Sequence, residues 1–197
     1  MASPTMLESP ASRQAAAAEE ALYEIVNGQR VELPPMGVYA SLIASWLHVE
    51  MGSFVRAGRL GILAIETLFI LDAERDLRRR PDIAFVSART WPLERAIPEE
   101  GDWEVVPDLA VEVSSPNDRL DHVLAKIREY FAFGVRQVWL VVPSMEYVLI
   151  FDSSTQARIL TAADELDGGS LLPGFRLPLA SLFRPQTQAD PPNPAQG

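Results

Sequence analysis

The sequence predicts an α/β fold in which a mixed β-sheet is flanked by helices. Residues 108–113 are expected to form a short apolar strand, residues 118–133 repeat apolar side chains at helical spacing, and residues 136–142 form a second apolar run. A strand, a helix and a strand in this order are typical of a parallel crossover. The run at 147–151 follows a Pro-Ser turn and is expected to add an antiparallel neighbour, which makes the predicted sheet mixed.

Length and composition indicate one folded domain between two tails. The chain has 197 residues, 48% of them hydrophobic, which is enough for one sizeable core. Residues 1–18 are rich in Ser, Pro and Ala, and residues 185–197 are rich in Pro, Gln and Asn, so we expect disordered tails around a domain at 19–184. Neither a signal-peptide pattern nor an apolar run of membrane-spanning length is visible, so a cytoplasmic protein without membrane contact is the default expectation.

The part of the chain before the central strand contains further elements with clear local signals. They are a hairpin at 23–33 around Asn27-Gly28, an amphipathic helix at 38–57, one strand at 60–71 and another at 82–86. An irregular loop at 87–106 then leads to the central strand.

The charged residues exclude some classes of function. A net charge of −10 argues against broad non-specific affinity for nucleic acid, although it leaves room for a local basic groove. The absence of Cys and the presence of only two His exclude thiol chemistry and a Cys- or His-rich zinc site, whereas hard cations held by oxygen ligands remain compatible. The only Lys among the 17 basic residues is Lys126. Because Lys can release a proton when its pKa is lowered and Arg cannot, Lys126 is either a functional residue or the one Lys spared by a codon bias toward Arg.

Two acidic residues are the first candidates for a functional site. Side chains alternate along the strand within 107–116, so Glu112 shares a face with Ser114. A carboxylate in an apolar strand is costly unless it is paired or binds a metal. Asp82 begins the strand at 82–86, and adjacent strands would bring it and Glu112 within reach of one divalent ion, which suits Mg²⁺. Asp82 by itself also fits an ordinary turn residue.

Several motifs taken together resemble one protein family. They are Arg-Pro-Asp-Ile-Ala-Phe-Val at 80–86, Pro-Asp-Leu-Ala-Val-Glu-Val-Ser-Ser-Pro at 107–116, Lys126 with Tyr130, Gly134-Val135 and Val138-Trp139-Leu140-Val141, with weaker matches at 23–28 and 172–175. This combination resembles the Uma-two family of restriction endonucleases, which is assigned to the PD-(D/E)XK nuclease superfamily. The likeness covers about 20–183, nearly the whole predicted domain.

The resemblance implies a restriction-endonuclease-like fold and a metal-dependent DNA endonuclease. Asp82 and Glu112 would be the paired acids, and together with the Val113 carbonyl they would hold Mg²⁺ or Mn²⁺. The superfamily pattern places a Lys two residues after the second acid, where this chain has Ser114. Lys126 on the adjoining helix is expected to reach the same space, so Asp82, Glu112 and Lys126 are the predicted catalytic residues. DNA is the expected partner, and a homodimer is left open.

Other residues rank lower, and one rival function is retained. Glu24 and Glu66 could each add an outer carboxylate, although a Glu beside a hairpin is usually solvated. His122, one helical turn before Lys126, could touch phosphate, and the basic run at 78–80 suits either phosphate contact or a solvated turn. The rival function is a catalytically silent binding or scaffold module with a nuclease fold. The missing strand lysine and the acidic composition favour this module, and the single Lys126 favours the enzyme.

Overall fold

The structure is a computed structural model, and it describes residues 21–116 and 118–183. The tails predicted at 1–18 and 185–197 lie outside the described residues, so their disorder and the domain bounds of 19–184 stay predictions. Within the described ranges, no helix is both long and apolar enough to cross a membrane.

The described residues open with a hairpin that belongs to a small antiparallel sheet. Strands β1 (Tyr23–Val26) and β2 (Gln29–Glu32) are joined by Asn27-Gly28, whose φ angles of 52° and 75° suit the left-handed turn that an Asn-Gly pair predicts. β1 also pairs with β5 (Leu77–Arg79), which in turn pairs with β4 (Phe69–Asp72). The resulting order is β2-β1-β5-β4, so the hairpin lies beside the segment that leads into the larger sheet.

The six-stranded sheet is mixed, as the order of the predicted elements indicates. Its strands are β3 (Gly61–Ile65), β6 (Ile83–Ser87), β7 (Leu109–Val113), β8 (Gln137–Val142), β9 (Tyr147–Ser153) and β10 (Gln156–Thr161). They lie in the order β10-β9-β8-β7-β6-β3, so β3 and β10 form the two edges. β7 and β8 are parallel because a helix returns the chain between them, and all other neighbours are antiparallel.

Two long helices cover opposite faces of this sheet. Helix α1 (Val38–Gly58) shares one hydrophobic core with Val111. Helix α2 (Leu120–Ala132) places Tyr130 in a second core with Ala110. Because residues 110 and 111 are neighbours on one strand, their side chains point to opposite faces, and the two helices therefore lie on opposite sides.

The last described residues complete the core on the α1 side. The chain passes through a short 3₁₀ helix (Pro143–Met145), the two-stranded sheet of β11 (Glu165–Asp167) and β12 (Arg176–Pro178), and helix α3 (Leu179–Phe183). Apolar side chains from this region are buried in the same cluster as α1.

The single strand predicted at 60–71 is wrong. The structure divides this stretch into β3 and β4, which belong to different sheets, and the break falls at Glu66, whose φ is 45°. A residue in the left-handed region turns the chain out of the strand direction, and an apolar run contains no signal for such a break. β5 and β10 lie outside the predicted strands because β5 has three residues and β10 is mostly exposed.

Candidate functional site

One stretch of backbone, 77–87, connects the two sheets and places charged side chains at their junction. β5 ends at Arg79 in the small sheet, and β6 begins at Ile83 in the large one. Pro81 lies between them and has no N–H to donate to a ladder, which suits a gap between strands. Arg79 therefore lies beside the hairpin, and Asp82 lies beside β7.

Asp82 and Glu112 oppose each other across β6 and β7. The register pairs Ile83 with Val111, so 82 and 112 are the next opposed positions of this antiparallel pair, and their side chains point to the same face. Opposed residues in such a ladder have Cα atoms about 4.5–5.5 Å apart. Asp82 Oδ2 accepts a hydrogen bond of 2.6 Å from the Val113 N–H. The fold thus brings the two predicted acids together.

Lys126 projects from α2 into the same space. Its Nζ lies 2.9 Å from Glu112 Oε2 and 2.8 Å from Glu24 Oε1, and its side chain is 15% exposed. The Tyr130 hydroxyl, one turn further along the helix, donates a hydrogen bond of 2.6 Å to Glu112 Oε1. Lys126 therefore points inward, and both carboxylate oxygens of Glu112 have a partner.

Glu24 forms a charge cluster with Lys126 and Glu112, so the expectation that Glu24 is solvated is wrong. Glu24 is 2% exposed. Its Oε2 accepts a hydrogen bond of 2.6 Å from Arg79, and its Oε1 accepts one of 2.9 Å from the Arg80 N–H. Because Arg79 is 55 positions away in the sequence, no local pattern indicates this burial. Only the pairing of β1 with β5 turns Glu24 inward.

The basic run at 78–80 is engaged within the protein. Arg78 pairs with nearby aspartates, and Arg79 is buried and bonds Glu129 through its Nε at 2.8 Å. Arg80 Nε donates to a backbone carbonyl at 3.1 Å. For Arg79, neither the phosphate-contacting nor the solvated interpretation of the run holds. It is an ion-pair residue that holds Glu24 in place.

The acidic side chains respond differently to their burial. Burial raises the pKa of Asp82 to about 7, and the negative charge of Glu112 acts in the same direction. Burial also raises the pKa of Glu112, although Lys126 opposes the rise. Burial would raise the pKa of Glu24 as well, but the charges of Lys126 and Arg79 outweigh it and lower that pKa. The positive charge of Lys126 therefore only partly offsets the burial of Asp82 and Glu112.

Lys126 is a permanent cation in this environment. Burial by itself would lower its pKa, yet the carboxylates of Glu112 and Glu24 hold the pKa above its ordinary value. The idea that the single Lys releases a proton is therefore not supported by its surroundings. Burial also raises the pKa of Tyr130, so its hydroxyl stays a hydrogen-bond donor to Glu112.

The donors around Asp82 and Glu112 fit a hard divalent cation. A groove of about 870 Å³ opens onto both carboxylates and is also lined by Val113, Glu66 and His122. Carboxylate and carbonyl oxygens are the ligands that Mg²⁺ prefers, with water and substrate in the other positions. The described residues contain no group of three or more acidic, His or Cys side chains that could hold a metal ion by themselves. The fit therefore rests on two carboxylates whose mutual repulsion a cation would relieve.

A solved structure and a family model both match this chain. The crystal structure of "a putative nuclease belonging to DUF820" from Anabaena variabilis aligns with a TM-score of 0.69 and 20% identity, over 82% of this chain and 89% of that one. This likeness shows the fold, and the predicted nuclease-like α/β fold is confirmed. The Uma2 family model, described as "Putative restriction endonuclease", matches residues 10–180, so the chain belongs to the Uma2 (Uma-two) family. No curated protein matches the chain.

Proposed function

We propose that this chain is a metal-dependent endonuclease that hydrolyses phosphodiester bonds in DNA. The observation that carries the proposal is the contact of the only Lys in the chain, Lys126, with Glu112 beside Asp82. This contact supplies a cation at the second acid, although the strand position two residues later is Ser114. Membership of a family described as "Putative restriction endonuclease" supports the same reaction and the same substrate.

In this proposal Asp82, Glu112 and the Val113 carbonyl hold Mg²⁺ or Mn²⁺. The bound ion would supply an activated water and would neutralise charge on the phosphate. The Val113 N–H fixes the orientation of the Asp82 carboxylate. Asp82 must be ionised to bind a cation, and its pKa of about 7 makes that step sensitive to pH near neutrality.

Lys126 acts in the proposal as a fixed positive charge. Its ammonium lies on Glu112, where it would orient the water or stabilise the negative charge that develops on the phosphate. Because two carboxylates raise its pKa, it does not serve as a base. Glu24 shares the ammonium and keeps it at this position.

A second candidate function is a binding or scaffold module without turnover. The observation that favours it is the engagement of both Glu112 oxygens, one by Lys126 and one by Tyr130. A metal ion would have to share or displace one of these partners. In a module without turnover, the same contacts would serve only to neutralise a buried carboxylate.

Incubation of purified protein with supercoiled plasmid and Mg²⁺ or Mn²⁺ separates the two candidates. We expect nicked and linear products from the parent, and a loss of at least about 100-fold in Asp82→Ala and Glu112→Ala, the size expected when a group that stabilises the transition state is removed. Nicking that survives in both variants would identify a contaminant. A parent protein that binds DNA but leaves it intact would favour the module.

A further inference from the structure

A second groove lies at the other end of the edge strand β3. It has a volume of about 710 Å³ and runs between α1 and β3. Its polar side chains are His48, Ser53, Arg56 and Arg59, and we call it the basic groove. No carboxylate is among its lining residues in the described part of the chain. In a protein with a net charge of −10, a groove lined by two guanidinium groups and no acid is a local exception.

The two arginines of the basic groove differ from most others in the molecule. Arg158 and Arg176, for example, each bond a carboxylate at 3.0–3.1 Å. Among the described residues, Arg56 and Arg59 form no ion pair, and both are exposed. Their charge is thus available to an external anion. His48, half-buried beside them, adds a further hydrogen-bonding group.

Arg59 is also held in an unfavourable backbone conformation. It follows the last residue of α1 with φ 51° and ψ 37°, the left-handed region in which Gly is preferred at a helix end. The glycine of this segment, Gly58, is the residue before Arg59, so the left-handed position itself is occupied by Arg59. This conformation ends α1 at Gly58 and turns the chain toward β3, with Arg59 at the junction of the helix and the strand.

The basic groove and the candidate active site are connected by β3. Gly61, which lines the basic groove, pairs with Ser87, whereas Ile65 at the other end of the strand pairs with Ile83, next to Asp82. Five residues of strand separate positions 87 and 82, or roughly 17 Å at the rise of an extended chain. The basic groove lies on the α1 side of the sheet and the two acids face α2, so a duplex contacts both sites only by lying along the edge that β3 forms. Duplex DNA rises about 3.4 Å per base pair, so this span corresponds to about five base pairs along the duplex axis, or about half a helical turn.

We propose that the basic groove binds the phosphate backbone of duplex DNA about five base pairs along the duplex axis from the phosphate at Asp82 and Glu112. The inference rests on the proposed function for its choice of ligand and adds to it the path of the duplex along β3. Arg56 and Arg59 contact phosphate oxygens, which position DNA without reading its sequence. The remaining acidic surface then disfavours other orientations of the duplex.

Binding without hydrolysis tests the contact directly. Fluorescence anisotropy of a labelled 30-base-pair duplex in EDTA gives affinity and its salt dependence for the parent and for Arg56→Gln/Arg59→Gln. We expect at least about fivefold weaker binding at low salt, and a slope of log affinity against log salt that is smaller by about 1–2, since each lost phosphate contact removes about 0.9. Arg56→Lys/Arg59→Lys keeps both charges and should restore most of the slope.

The matched control removes two charges elsewhere. Arg158→Gln/Arg176→Gln changes the net charge equally, but these arginines, on β10 and β12, are already paired with carboxylates on β9 and β11. We expect less than about a twofold effect and an unchanged slope. Equal weakening by the two double variants would overturn the inference, as would a parent that does not bind the duplex at low salt.

The position of the groove on DNA is tested by tethered cleavage. The chain has no Cys, so Ser53→Cys in the basic groove and Ser115→Cys at the active-site groove each provide a unique thiol for iron–EDTA. We expect their cuts in a bound duplex to be centred about five base pairs apart along the duplex axis, the spacing that follows from the length of β3. Cuts from residue 53 that are no stronger than those from the exposed control Ser154→Cys would refute the contact.

These measurements separate the inference from the proposed function. Iron–EDTA cleavage and anisotropy need no catalysis by the protein. A positive result with an inactive parent therefore supports the basic groove and contradicts only the hydrolytic function. An active parent whose affinity ignores Arg56 and Arg59 contradicts only the groove.

Discussion

Lys126 contacts two buried carboxylates at once, so we expect its replacement to reduce cleavage more than any other single substitution on α2. In Lys126→Met the cation beside Glu112 is lost, and we expect plasmid nicking to fall by about 100-fold or more. Lys126→Arg should also fail, because a planar, larger guanidinium does not fit the space of an ammonium shared between Glu112 and Glu24. An Arg variant that cleaves like the parent would show that only charge is required.

The same substitution needs a stability measurement beside it. Lys126→Met leaves Glu112 and Glu24 buried without their shared cation, and breaking a buried pair in this way costs about 3–5 kcal/mol. Lys126→Met/Glu24→Gln should recover part of this loss without recovering cleavage. Arg128→Met removes an exposed charge from the same helix and should change neither property.

Asp82 is expected to make the metal-free protein less stable as pH rises. Its folded pKa of about 7 lies above the ordinary value of 3.8, so the folded state binds the proton more tightly and this group's stabilising effect is lost between about pH 4 and 7. Asp82→Asn mimics the protonated form. At pH 8 without metal, we expect a gain of at least about 1 kcal/mol, or a melting temperature about 2–4 °C higher.

The gain in Asp82→Asn should shrink as the pH is lowered toward 4. The control is Asp121→Asn on the exposed start of α2, where a hydrogen bond from Arg119 lowers the pKa instead. Its pH dependence should have the opposite sign and a small amplitude. A gain in Asp82→Asn that is equal at pH 8 and pH 4.5 would contradict the raised pKa.

At the scale of elements, the packing of β3 against β6 depends on Gly61. A Cβ atom at this position would lie 2.2 Å from the Val86 carbonyl oxygen, which is backbone and cannot move aside alone. We expect Gly61→Ala to reduce the free energy of unfolding by about 1–3 kcal/mol, measured by urea denaturation. Because β3 connects the two grooves, we also expect Gly61→Ala to lower the affinity for DNA.

Gly52 on α1 provides a control of opposite sign. A Cβ at Gly52 would meet Leu63 at 3.8 Å, an ordinary contact, and the residue is helical. Gly52→Ala should therefore stabilise the protein by about 0.5–1 kcal/mol. Equal, neutral effects of both substitutions would contradict the close contact between β3 and β6 at Gly61.

At the scale of the whole molecule, metal binding should appear as thermal stability. A ligand that binds only the folded state at 100 times its Kd adds about 2.7 kcal/mol, which for a chain of this size corresponds to roughly 5–10 °C in melting temperature. We expect Mg²⁺ or Mn²⁺ to raise the melting temperature at pH 8, where Asp82 is ionised, and to do so less at pH 6.

The same metal titration should distinguish a specific site from general screening of an acidic protein. Asp82→Ala and Glu112→Ala should lose the metal-dependent rise, and Asp121→Asn should keep it. A rise of equal size in all variants would show that the divalent ions act on the net charge of −10 instead of on the proposed site.

Local signals determined a large part of this molecule. The Asn27-Gly28 turn, the apolar period of α1 and the order of β7, α2 and β8 predicted those elements because turn chemistry and side-chain periodicity act over a few residues. The motifs around Asp82, Glu112 and Lys126 likewise identified the residues that the fold brings together, although their proposed catalytic roles stay predictions.

Only the tertiary structure decided how those side chains are neutralised. Glu24 is buried because β1 pairs with β5, and its partner Arg79 comes from a strand that the sequence pattern does not reveal. The same pairing brings Glu24 to Lys126. Glu24 and Glu112 together raise the pKa of Lys126, whereas proton release by this residue would require a lowered pKa. The pKa values at a site depend on burial and on neighbouring charges, and both depend on which distant segments of the chain come into contact. A local sequence pattern does not contain this information.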